Sequence, residues 1–268
     1  MTTTLDTTSG EYDYTYLSLG AGVQSSALLV LSCIDDSVPK PNIAIFADTG
    51  DEPSWVYKYL DILSEWALPY GVEIVRTQKA VLSESCMDGF VPIPVFTMNP
   101  NGSRGMLRRQ CTREYKVAPI TKKIRELLGY SKGKQVKKKV RAMIGISIDE
   151  VERMKESPLS WLTNTFPLVD MEISRKDCYA IIEGVNLPEP NRSACVYCPY
   201  HSDAEWRFMR DHHPDEFEKA VIFDNNIRDK TKKGSDRLAY VHHSCVPLSE
   251  ASLGGSDEGQ INMFSNEC

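Results

Sequence analysis

No stretch of this 268-residue chain approaches the ~20 consecutive apolar residues that a bilayer-crossing helix needs. No membrane partner is therefore expected. The opening MTTTLDTTSG has neither a basic start nor an apolar stretch and does not look like a secretory leader. The expected compartment is the cytoplasm. Internal repeats and biased tracts are missing too. With 41% hydrophobic and 25% charged residues, the composition is that of an ordinary globular protein, which excludes disordered and collagen-like classes. Two common nucleotide signatures are absent. There is no G-x-x-x-x-G-K followed by Ser or Thr, and no G-x-G-x-x-G opening a dinucleotide fold.

Cysteine, by contrast, is plentiful. Eight are present, at 33, 86, 111, 178, 195, 198, 245 and 268, and one close C-x-x-C pair stands among them, Cys195 and Cys198. A reducing compartment argues against structural disulfides. Cys33 and Cys178 lie in apolar or mixed segments and are expected to act as small buried hydrophobes. His212–His213 and His242–His243 are adjacent pairs whose rings point in different directions, and both are expected on the surface or in loops.

Charge is unevenly distributed. Between Arg104 and Arg141 there are fourteen Lys and Arg against two acids, a local +12; the whole chain carries −6, so the remainder sums to −18. A solvated basic loop explains this plainly. The functional alternative is an anionic partner, either nucleotide phosphates or the backbone of a tRNA or DNA.

Strand and helix patterns alternate through the first half. Tyr14 to Leu19 predicts a strand and Ser25 to Cys33 a helix. Asn42 to Phe46 predicts a buried strand, Ser54 to Trp66 a helix and Val72 to Arg76 a further strand. Helices are expected over 118–128, 176–183, 203–209 and 216–223, a strand over 140–146, and irregular chain over 81–110. This alternation implies an α/β fold with a Rossmann-like, mainly parallel sheet. The division expected is a nucleotide-binding domain over 14–185 and a small Cys-containing C-terminal segment over 186–268.

The turn Ser18-Leu19-Gly20-Ala21-Gly22-Val23-Gln24-Ser25-Ser26 joins the first strand to the first helix. Glycines allow close approach of an anion, helix-start N–H groups point at it, and serine hydroxyls add donors. A plain strand-to-helix connection is the alternative. The segment resembles the pyrophosphate loop of the adenine nucleotide alpha-hydrolase (PP-loop) superfamily, with Gln24 as in its phosphoadenosine phosphosulfate (PAPS) reductase branch. Asp48-Thr49-Gly50, with Pro53 and Tyr57, is similar to that branch's D-T-G-x-x-x-P-E-x-Y stretch, although Ser54 replaces the glutamate. Cys111, Lys116 and Pro119 resemble its C-C-x-x-x-K-x-x-P stretch, with Thr112 in place of the second cysteine. Cys195 and Cys198 match its downstream C-x-x-C. Gly145 and Arg153 match a strand-end segment that here lacks the other arginines a phosphosulfate would call for.

The resemblance implies an adenine nucleotide, ATP foremost, held by Ser18, Gly20, Gly22, Gln24, Ser25, Ser26, Asp48, Thr49, Gly50 and Gly145. It admits Mg²⁺ or the ribose at Asp48, and gives Lys116 the role of stabilising negative charge. It implies a 4Fe–4S cluster on Cys111, Cys195 and Cys198. Independently, two thiols at C-x-x-C spacing converge on one metal or cluster, and Arg108, Arg109, Arg113 and Lys116 around Cys111 favour its thiolate. Zinc completed by His201, His212 or Cys245, and unconnected thiols, stay open as alternatives. The function implied is sulfur transfer, in which ATP is cleaved at its alpha phosphate, the acceptor is adenylated and sulfur replaces oxygen. The acceptor would be a nucleic acid bound through 104–141, with a sulfur-donor or reductant protein as a further partner. One alternative is a sulfonucleotide reductase with Cys268 as nucleophile. Another is a non-catalytic nucleotide- or nucleic-acid-binding protein with structural zinc. A homo-oligomer is compatible with all three.

Overall fold

Two of the first elements are strands with almost no polar face, β1 (Tyr14–Leu19) and β2 (Ile43–Asp48). Such runs belong inside a parallel sheet covered on both sides. The computed structural model, which describes residues 11–87, 91–230 and 236–254, places them at the middle of one. The remaining strands are β3 (Ile74–Gln78), β4 (Phe96–Met98), β5 (Arg104–Met106), β6 (Val140–Ile144), β7 (Leu162–Thr165) and β8 (Leu238–Tyr240). The helices are α1 (Val23–Ile34), α2 (Ser54–Ala67), α3 (Leu82–Met87), α4 (Ala118–Leu127), α5 (Pro167–Asp170), α6 (Arg175–Gly184), α7 (Asp203–His212) and α8 (Pro214–Asn226). The sequence-level division falls between 185 and 186. By internal contacts the described chain forms two compact units, each discontinuous along the sequence.

The first unit runs through Ala47 and takes in Trp55–Thr77 and Ala118–Ser193. Its five strands lie parallel in the order β3-β2-β1-β6-β7, the mainly parallel α/β sheet expected. Side chains alternate between faces with period two. Leu17, Leu19, Ala44, Phe46 and Met143 face a core made with α1, α2 and α6, whereas Tyr16, Ile43, Ile45, Val140 and Ala142 face Ile120 and Ile124 of α4. Buried all round from Val23 to Ser32, α1 has the apolar composition of an inner helix. Cys178 is fully buried in this core and Cys33 packs partly buried against it, as expected of small hydrophobes.

The chain moves from β1 through β2 to β3 on one side, then returns to place β6 on the other side of β1. The carboxyl ends of β1 and β6 therefore flank a topological switch point, where open α/β sheets bind ligands. Gly145, just past β6, lies so close to α1 that a Cβ there would fall 2.7 Å from both the backbone nitrogen and the Cα of Ser25.

The second unit comprises Asp48–Ser54, Gln78–Val117 and the chain from Ala194 onward. Its sheet is antiparallel, in the order β5-β4-β8, beside α3, α7 and α8. Within 81–110, expected to be irregular, stand α3, β4 and β5. These strands have three residues each, too short to show an alternation.

Gly145→Ala should destabilise the protein by about 1–3 kcal/mol, because a methyl group meets backbone that cannot step aside. Gly22→Ala, with nothing within 4 Å of the added carbon, should cost far less; urea midpoints of the two variants give the comparison. A second expectation concerns pH. Burial first, then Asp177, pushes the Cys178 thiol up to about 12 from 9.0. Below the unfolded pKa both states hold the proton and its contribution is intact. Above it the unfolded chain releases the proton first, so stability falls from about pH 9 toward 12, by up to about 1.4 kcal/mol per pH unit. The decline should be shallower in Cys178→Ala.

Candidate functional site

In the first unit, the turn after β1 is built to hold its shape. Ala21 has φ 56, a left-handed conformation uncommon outside glycine. The Gly20 N–H donates to Ser25 Oγ at 3.1 Å, and that hydroxyl donates to the Gly22 carbonyl at 3.1 Å. Gly22 is the N-cap of α1, no side chain caps it, and the space where its Cβ would stand is open. An uncapped helix start below an open glycine is a place for an anion.

The other turn residues have different surroundings. Ser18 is half-buried, and Ser26 is fully buried beside Tyr59. Gln24 is held at both ends of its amide. Its Nε2 donates to Glu150 Oε2 at 3.1 Å, and Arg175 donates to its Oε1 at 3.3 Å. Glu150 is paired with Arg153, and the Arg175 N–H bonds the Asp149 carboxylate. Arg175 is a cation that local sequence does not reveal, since it comes from the start of α6, 151 residues beyond Gln24.

The second unit holds Asp48, Thr49 and Gly50 together with the cysteines. Asp48 Oδ1 accepts from the Gly50 N–H at 2.7 Å, and Gly50 takes φ +79, where a Cβ would strike Gln78 and Val81. The Thr49 hydroxyl lies 3.2 Å from Cys195 Sγ. Asp51 receives Ser83 N–H and Oγ at 2.8 and 2.7 Å and the Tyr197 hydroxyl at 2.6 Å, while its carbonyl accepts from Val196 at 2.8 Å. Tyr197 stacks on Phe223 with centroids 3.6 Å apart. Asp51 thus fixes the C-x-x-C loop from below. Nothing in the sequence around Asp51 signals this role.

The C-x-x-C loop closes on itself. Cys198 N–H donates to the Cys195 carbonyl at 2.9 Å and His201 N–H to the Cys198 carbonyl at 3.1 Å. The Cys195 carbonyl also lies 3.0 Å from His201 Nε2. A carbonyl only accepts, so this ring nitrogen carries the proton and braces the loop. Burial first, then Glu52, holds the Cys195 thiol well above its ordinary range, with Lys116 acting the other way. Lys116 Nζ sits 3.2 Å from the fully enclosed Glu52 carboxylate. Burial opposes its charge, but Glu52 and the thiols of Cys195 and Cys198 carry its pKa upward on balance.

Cys111 begins the helical stretch that contains Lys116. A π-helix spans Thr112–Val117, a rare geometry frequent at functional sites. The Cys111 N–H donates to the Pro92 carbonyl at 2.9 Å. Its sulfur lies near Cys86, whose thiol is pushed up to about 12 by burial, Asp51 and Cys111 in that order. The Thr112 hydroxyl is buried and has no hydrogen-bond partner among the described residues. Cys111, Cys195 and Cys198 are thus brought into one unit, with Lys116 interacting electrostatically with the latter two. They do not form a set with sulfurs all within 4.8 Å of one another among the described residues. A tetrahedral zinc site with ~2.3 Å bonds needs sulfurs about 3.8 Å apart. Sulfurs spread wider than that do not fit one tetrahedral zinc ion; a cluster, which binds each thiolate at a different iron, does not require them that close. Cys245 donates to the Thr97 carbonyl at 3.8 Å and is committed elsewhere. Cys268 lies outside the described residues.

The basic segment is divided between the units. In the second, Arg104, Arg108, Arg109 and Arg113 are exposed, and Arg109 also lies over the Tyr200 ring at 5.3 Å. In the first, Lys132, Lys134, Lys137, Lys138 and Lys139 all project from a loop that Arg125 pins through the carbonyls of Ser131 and Lys134. Arg141 is instead buried against Tyr12.

No protein-family model and no curated protein matches the chain. Solved structures with a similar fold include a PAPS reductase from Candida auris in complex with phosphate, at 12% identity over 69% of this chain and 82% of its own, with a TM-score of 0.41. Another is the U34-tRNA thiolase NcsA from Methanococcus maripaludis with its 4Fe–4S cluster, at 13% identity over 80% and 72%, also with a TM-score of 0.41. Both belong to the PP-loop superfamily. Likeness at this level carries no argument about chemistry.

Lys116→Met should take a counter-charge away from the enclosed Glu52 carboxylate. The expected loss is about 2–3 kcal/mol, below that of a fully enclosed pair because the lysine side chain keeps 36% exposure. Adding Glu52→Gln should restore most of it, as read from urea unfolding of the single and double variants.

Proposed function

We propose that the chain is an adenine-nucleotide-binding enzyme of sulfur transfer that uses a 4Fe–4S cluster held by Cys111, Cys195 and Cys198. The observation that carries this reading is the buried Cys195 thiol. It is grouped with Cys198 about the Lys116–Glu52 pair, in the same unit as Cys111. A buried thiol pushed toward its neutral form is a poor free nucleophile. It becomes a thiolate when a metal takes the place of its proton. A cluster with three protein ligands supplies a place for a non-protein sulfur.

The chain's own groups do the rest. The open start of α1 and the Gly20–Gly22 turn receive the nucleotide phosphates, braced by the Ser25 hydroxyl. Arg175 adds positive charge on the side of Gln24. Cleavage of ATP between its alpha and beta phosphates transfers AMP to an oxygen of the acceptor and releases pyrophosphate. A sulfide-level sulfur brought by a donor then forms the C–S bond as the C–O bond to AMP breaks, so AMP carries the oxygen away and no net oxidation occurs. Lys116 balances negative charge at the thiols. The acceptor is a tRNA or DNA base, its backbone held by the exposed lysines of 132–139 through release of counterions.

Anaerobic purification should give a brown protein with iron and sulfide, and Cys195→Ala should lose both. Gly22→Ala should weaken ATP binding about tenfold or more, or about 1.4 kcal/mol, with its unfolding midpoint nearly unchanged. Replacing Lys137 and Lys138 by Glu should make tRNA binding less salt-dependent. A colourless protein that binds ATP equally well with and without Gly22 would overturn the reading. Cys268→Ala separates the reductase alternative, since only that chemistry needs the thiol.

A further inference from the structure

The adjacent histidines 242 and 243 do not both lie at the surface. His242 is 1% exposed, and His243 stands beside it with part of its ring open. Both rings turn their Nε2 atoms toward one oxygen of Asp203. The separations from Asp203 Oδ1 are 3.0 Å for His242 and 3.3 Å for His243. Among the described residues this is the set of three such ligand atoms lying within 4.8 Å of one another.

We infer that Asp203, His242 and His243 form a second metal site, distinct from the cysteines, that takes a single divalent transition ion of the zinc type. Two imidazoles and one carboxylate are a donor set suited to zinc and its neighbours. With bonds of ~2.0–2.1 Å, a tetrahedral ion has ligand atoms about 3.3 Å apart along each edge. The two measured separations are close to that edge.

The loop bearing the histidines is held on both sides by a buried carboxylate. Val241 N–H donates to Asp224 Oδ1 at 2.8 Å and Leu248 N–H to Oδ2 at 3.0 Å, and Arg228 pairs with the same Asp224. β8 carries the chain into this loop, and Cys245 N–H donates to the His242 carbonyl at 3.0 Å. Asp203 is the first residue of α7, fixed by the reciprocal capping of Ser202 and Glu205. Behind the site, His242 Nδ1 lies 2.6 Å from Ser244 Oγ. A partner on the far nitrogen orients a ligating imidazole and sets its tautomer. Three protein donors leave the fourth tetrahedral position to water or a substrate oxygen. This is the arrangement of a site that can act as a Lewis acid.

Titration of the full chain with Co²⁺, followed by visible absorption, tests the assignment. An ion held by two imidazoles and a carboxylate gives weak ligand-field bands without the intense thiolate charge-transfer absorption that cysteines produce. Those bands should persist in Cys195→Ala. They should vanish in His243→Ala, whose half-open ring can be removed without emptying the core, with the Co²⁺ dissociation constant rising at least about 100-fold. Ser244→Ala should weaken binding about 10- to 100-fold. Zn²⁺ added in competition should bleach the bands. If wild-type and His243→Ala, folded alike by circular dichroism and urea midpoint, bind Co²⁺ equally, the assignment is overturned. It is equally overturned if all visible absorption disappears with Cys195→Ala.

Discussion

Two neighbouring carboxylates, Asp51 and Glu52, govern the thiol-bearing unit. Glu52 is buried and Asp51 half-buried, and the donors each finds are the parts of the site. The Asp51 carboxylate draws in Ser83 and Tyr197, while its backbone carbonyl takes the Val196 N–H; Glu52 draws in Lys116. Thr49, two residues before Asp51, reaches the Cys195 sulfur. Four residues following a sheet strand, 49–52, therefore organise segments that are about 30 to 150 positions away in sequence. The requirement that a buried charge be paired thus becomes a positional instruction for the cysteines.

The same economy of parts marks the turn after β1. Its shape is made by backbone, by one hydroxyl and by a left-handed alanine, so that no side chain fills the open N-terminus of α1. Gly145 allows β6 to end directly against that helix start. The switch point is a product of strand order, and what sits there is decided by two positions where a side chain is missing.

Much of the parallel sheet was legible in the sequence because β1, β2 and β6 are apolar runs set between helical periods. β7, with sequence LTNT, has no such pattern; it is a strand because β6 offers an edge. The three-residue strands of the antiparallel sheet were invisible for the same reason, since pairing 98 with 238 is not a local property. In the candidate site, the glycine turn and the C-x-x-C pair stood out by spacing. The roles of Asp51, Glu52 and Arg175 did not, because a carboxylate or guanidinium gains its part from partners that folding brings from elsewhere. The histidine pair misled for a related reason. Adjacent rings diverge along an extended chain, but the loop after β8 turns sharply enough, with Cys245 at φ 55, to aim both at Asp203.

The π-helix between Cys111 and α4 has an angular effect. Along a regular α-helix each residue advances about 100°, so positions five apart point some 140° away from each other. A π turn repeats at about the fifth residue and returns such positions to nearly the same side. Cys111 and Lys116 are five apart, with Thr112–Val117 in that geometry. The wider coil works as a phase adjustment: one surplus residue in the winding brings the backbone directions of positions 111 and 116 closer than the 140° an α-helix would set between them.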